Sequence, residues 1–204
     1  MFMAEDIKLA ENIIIVDVEA LNQTVTNLLC FLENTLHRNL NKIDLETWIV
    51  DLALDAGLRD GGHKTQILFV SDNDSVNLEH FKSGNLKALD GWGCRNQFGE
   101  FIISAISSEG LTSRESVYLD LLQIILNSKD VKRVVVVPSD DEYGERLSIL
   151  LENAKQFIAP ESPKNIVRFF SVKPGNTPGY KGEILIYSLM HALGIRSEDL
   201  DLIH

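Results

Sequence analysis

Five short runs of apolar, mostly β-branched residues constrain this chain more than any other feature: residues 13–16, 66–70, 101–106, 133–137 and 166–172. Between them the apolar residues recur at helical spacing. Residues 22–38 carry Val25, Leu28, Leu29, Leu32 and Leu36, and residues 45–58 carry Trp48, Ile49, Leu52 and Leu54. Residues 113–127 follow with Val117, Leu121, Ile124 and Ile125, and Ser113 stands where a helix cap belongs. Residues 142–157 offer Leu147, Leu150, Leu151 and Ala154; residues 182–193 offer Ile184, Leu185, Tyr187 and Leu189. A weaker pattern covers 77–89, with Leu78, Phe81, Leu86 and Leu89. Strands that are almost continuously apolar and alternate with helices imply a sheet buried on both faces. Right-handed crossovers then predict a doubly wound, Rossmann-like three-layer α/β sandwich with a mainly parallel five-stranded sheet. Its first strand should lie inside, between the second and the fourth.

No internal repeat or composition shift divides the 204 residues, so a single α/β domain over 1–204 is expected, with its core at about 12–172 and a C-terminal helix at about 182–193. The Gly-rich stretch 91–100 reads as a loop, and 160–164 and 173–182 read as turns. A hydrophobic share of 45% suits a globular core. No apolar run reaches the ~18 residues of a membrane span, and the acidic start lacks a signal-peptide pattern. Cys30 and Cys94 are far apart with no CxxC, which points to a reduced, cytoplasmic protein without a disulfide framework. Cys30, on a Leu-rich helix face, reads as core. A net charge of −11 argues against a broad basic nucleic-acid surface and leaves only a local, metal-bridged contact open. No dinucleotide fingerprint, P-loop or nucleophile elbow is present.

In such a sheet, ligands bind beyond the carboxyl ends of the strands. Those ends carry Asp17 and Glu19 after the first run, Asp72 and Asp74 after the second, and Ser139, Asp140, Asp141 and Glu142 after the fourth. Carboxylates converging on one edge repel each other unless a cation or shared proton intervenes. Mg²⁺ or Mn²⁺ suits an all-oxygen site and activates water for phosphoryl chemistry. The same residue types also cap helices, so Ser139, Asp140 and Asp141 are equally readable as caps. On the electrostatic reading, Asp17 and Asp140 approach each other, their repulsion raises a carboxyl pKa, and Asp140→Asn leaves stability unchanged or raises it. Lys82, Lys87 and Arg95 are candidates to rim this edge and touch substrate phosphates; they also read as solvated surface.

The segment IIIVDVEAL, residues 13–21, resembles the first motif of the NYN branch of PIN-like ribonuclease domains, with Asp17, Glu19 and Leu21 matching and Ala20 where that family has Asn. VVVVPSDDEYGERL, residues 134–147, is similar to the family's later Ser-Gly-Asp-x-Asp-Phe motif through Ser139, Asp140 or Asp141, and Tyr143, without the glycine. SRESVYLDLLQIIL, residues 113–126, resembles its acidic helix, with Glu115 and Asp120 at acidic positions. The resemblance implies a metal-dependent ribonuclease. Asp17, Asp140, Asp141 and Asp120 would be catalytic, Asp17, Asp140, Asp141 and Glu115 would hold Mg²⁺ or Mn²⁺, and Ser139 would contact the RNA. The motif departures support a second expectation, a non-catalytic PIN/NYN-like module that binds a protein partner or a second copy of itself. Neither a membrane nor a DNA-specific motif is implied.

Overall fold

The computed structural model describes residues 9–59, 61–157, 164–175, 177 and 179–200. The order is β1 (Asn12–Asp17), α1 (Val18–Leu36), α2 (Leu45–Asp55), β2 (His63–Ser71), α3 (Leu86–Leu89), β3 (Gly93–Asn96), β4 (Gly99–Ser107), α4 (Arg114–Asn127), β5 (Arg133–Val137), α5 (Asp140–Phe157), β6 (Asn165–Phe170), β7 (Lys181–Ile184), α6 (Leu185–Ala192) and α7 (Ser197–Leu200).

All six residues of β1 are buried, as an unbroken apolar run in the middle of a sheet requires. It pairs in parallel with β2 on one side and β5 on the other. Alternate residues face opposite layers. Ile13 and Ile15 pack with Tyr118 and Leu122 of α4 and Leu147 and Leu151 of α5. Ile14 and Val16 pack with Val25 and Leu32 of α1, Trp48 and Leu52 of α2 and Leu189 of α6. The result is an α/β sandwich with an apolar core on each face of the sheet.

The sheet differs from the expected one in two respects. It has seven strands, in the order β3-β4-β2-β1-β5-β6-β7, and it is mixed, because β3 runs antiparallel to β4. The stretch read as a Gly-rich loop is this edge hairpin. Gly99, at φ 123°, begins β4 beside β2, where a Cβ would lie 2.0 Å from the His63 carbonyl oxygen. The hairpin therefore closes only with glycine there. The second addition, β7, occupies residues assigned to the start of the last helix. Gly182 lies against Pro174, where a Cβ would meet the ring at 2.8 Å, and α6 begins only at Leu185.

Helix boundaries shift for identifiable reasons. α1 starts at Val18 because Asp17 caps it, accepting from the Ala20 N–H at 2.9 Å. Ser113 caps α4 as expected, accepting from the Ser116 N–H at 3.1 Å. Of the weak segment 77–89 only the single turn of α3 is helical. Cys30 is exposed, since Leu28 and Leu32 occupy the buried stripe of α1. The C-terminal turn docks on the domain itself, where Arg38 donates to Asp199 at 2.9 Å. Most of the turn at 160–164 lies outside the described residues. Among the described residues, no helix is long and apolar enough to cross a membrane.

Candidate functional site

β1, β2, β4, β5 and β6 all point the same way, so their carboxyl ends share one edge. Asp17 ends β1 with no exposed surface. Its Oδ1 accepts from the Ala20 N–H. Its Oδ2 accepts from Arg114 Nε at 2.8 Å and from the Tyr143 hydroxyl at 2.7 Å. Arg114, the first residue of α4, is itself 6% exposed. Its remaining nitrogens reach outward: Nη1 donates to Asp72 Oδ2 at 2.7 Å, and Nη2 donates to Glu142 Oε2 at 2.6 Å. Glu19 Oε2 lies 3.6 Å from Nη1, and Glu19 Oε1 accepts from the Asp72 N–H at 2.8 Å. One guanidinium thus joins carboxylates that follow β1, β2 and β5.

The electrostatics follow from burial. Loss of water pushes the Asp17 carboxyl above its ordinary range, with the Ala20 N–H, Tyr143 and Arg114 pulling it back. Burial also raises Glu19, against the opposing pull of the Asp72 N–H and Arg114. Burial works against charge on Arg114, but the carboxylates, Asp17 foremost, overcome it and hold the guanidinium protonated. Burial, with Tyr118 and Asp17 adding to it, raises the Tyr143 phenol well above its usual value, so it stays a donor. The rise at Asp17 comes from desolvation, not from the expected repulsion by Asp140.

Asp140 belongs to a second pair. It begins α5 and accepts from Arg168 Nη2 at 2.6 Å. Arg168 is 3% exposed, the one charged side chain in β6. Its Nη1 donates to Ser148 Oγ at 2.8 Å, and the guanidinium lies 4.6 Å from the Phe170 ring centroid. Gly144 lets Arg168 approach α5, since a Cβ there would sit 3.2 Å from Nη2. Tyr143 takes non-helical angles, φ −142° and ψ 19°, in the turn that carries its hydroxyl to Asp17.

Other expected site residues scatter. Asp120 is exposed on α4, and Glu115 pairs with Arg146. Asp141 is exposed, with no ion pair among the described residues. Lys82 pairs with Asp44 at 3.5 Å beside α2, and Arg95 pairs with Glu100 along the β3–β4 hairpin, so neither joins the carboxylate cluster. Lys87 lines a separate cavity with Asp74 and Ser107. Ser139 is buried at the end of β5.

As arranged, Asp17 offers little to an ion. Three donors already occupy its two oxygens, and it is closed to solvent. Among the described residues, no group of three or more His, Cys, Asp or Glu side chains is placed to hold a metal. Sequence reasoning overlooks both arginines, although each carries a signal. Arg114 at the first position of a helix opposes the macrodipole, which makes sense only beside a carboxylate. Arg168 interrupts a buried apolar strand, where an unpaired charge is untenable.

Fold and site together define an α/β domain whose carboxyl-edge carboxylates are closed by buried guanidiniums. The chain belongs to DUF6621, a family of unknown function, whose model matches residues 6–200. No curated protein and no solved structure matches the chain.

Proposed function

We propose that this chain is a non-catalytic, PIN/NYN-like, doubly wound module that works in the cytoplasm by binding a partner. One observation carries the reading: Arg114, inside the acidic cluster, supplies the positive charge that the resemblance assigns to Mg²⁺ or Mn²⁺. A guanidinium neutralises carboxylates but does not activate water by coordination, and the three nitrogens of Arg114 are already taken by Asp17, Asp72 and Glu142. The departures at Ala20 and in the Ser139–Asp141 turn support the same reading, as does the net charge of −11, which disfavours a broad basic surface for RNA.

The test is a cleavage and binding assay on single-stranded RNA with Mn²⁺, with and without EDTA, comparing wild type with Asp17→Asn. The expected result is no cleavage by either protein. Cleavage that needs the metal and disappears in Asp17→Asn would overturn the proposal in favour of a metal-dependent ribonuclease.

A further inference from the structure

We infer that the cleft at the β1/β5 switch point binds an extended segment of a partner protein, with lysine or arginine at one end and a bulky apolar residue at the other. The inference rests on the non-catalytic reading above. Strand order reverses at β1, where doubly wound sheets place their ligands. A cavity of about 690 Å³ opens there. Its lining includes Glu19, Asp140, Asp141 and Glu142 and, among the described residues, no lysine or arginine. Glu19, Asp140 and Glu142 already have guanidinium partners, but Asp141 has no ion pair among the described residues. Ser139, 6% exposed, also lines the cavity, and its hydroxyl makes no hydrogen bond with a described residue. Polar atoms left unmatched in a cleft with an excess of carboxylates call for a donor that is also a cation.

The shape favours a peptide over a small amine. Glu19, Asn27 and Phe31 lie on one face of α1 and all line the cavity, so the wall runs about 18 Å at ~1.5 Å per residue. An extended chain covers that length with about five or six residues. The wall is acidic at Glu19 and apolar at Phe31, which is 55% exposed; Val172, 73% exposed, lines the same cavity. That polarity sets the direction of the guest, basic end toward the strand ends.

The probe is a labelled six-residue peptide with two lysines at one end and leucine and phenylalanine at the other, followed by fluorescence anisotropy on the full chain. A counterpart with glutamates in place of the lysines and free spermine are the comparisons. Binding of the lysine peptide should weaken about tenfold or more in both Asp141→Lys and Phe31→Ser, which alter exposed side chains, and the glutamate peptide should not bind. Three outcomes would overturn the inference: no binding of the lysine peptide, binding that ignores both substitutions, or spermine binding as tightly with no dependence on Phe31. Absence of both peptide binding and RNA cleavage refutes only this occupant. Metal-dependent cleavage refutes the non-catalytic reading itself.

Discussion

Arg114 is a buried cation whose worth is set by its partners. Removing it strands Asp17 with no exposed surface and leaves Asp72 and Glu142 facing each other without a counter-charge. Breaking a buried pair from one side typically costs about 3–5 kcal/mol. Arg114→Met should therefore lower stability by that order in urea unfolding. Adding Asp17→Asn, which keeps the Oδ1 acceptor for Ala20, should restore part of the loss, giving a coupling energy above about 1 kcal/mol. Additive losses would mean that the two side chains are neighbours without being a pair. At this scale the sequence is legible for Asp17, because a strand-end Asp followed by a helix has few roles. It is opaque for Arg114, since pairing across 97 residues depends on topology that no local pattern encodes.

Elements were easiest to read where local chemistry decides them. Ser113 before α4 and the long stripe of α1 are local signals, and both appear in place. β3 and β7 escaped because each has four residues at a sheet edge, stabilised by a neighbouring strand and not by its own pattern. α5 shows how a cap reading and a charge reading divide. The electrostatic expectation, that Asp140→Asn is neutral or stabilising, reverses once Arg168 is seen. Exchanging that charged acceptor for a neutral amide oxygen should cost about 1 kcal/mol, checked by chemical unfolding; unchanged or raised stability would show that Arg168 does not need the charge.

Asp44 provides a pH-dependent counterpart at the start of α2. Its Oδ1 accepts from the Thr47 N–H at 3.0 Å, which, despite some desolvation and with help from Lys82, holds its carboxyl below the ordinary value. A carboxyl depressed in the folded state adds stability above its unfolded pKa and loses it as pH falls through the folded value. Asp44→Ala should cost about 1 kcal/mol near neutrality. The gap from wild type should close on acidification below the usual carboxylate range, and a gap that persists into acid would contradict the ionised cap.

For the whole molecule, the α/β class, the buried β1 and its place between β2 and β5 follow from apolar runs and crossover handedness, and they place the acidic edge correctly. What that edge does depends on which cation neutralises it, and here residue, element and fold converge on Arg114. The most direct test is Mn²⁺ binding to the wild-type chain by electron paramagnetic resonance, with Asp17→Asn in parallel. The account predicts no stoichiometric Mn²⁺ site and the same spectrum in both proteins, because the guanidinium occupies the charge centre of the cluster. One bound Mn²⁺ per wild-type chain, lost in Asp17→Asn, would contradict it.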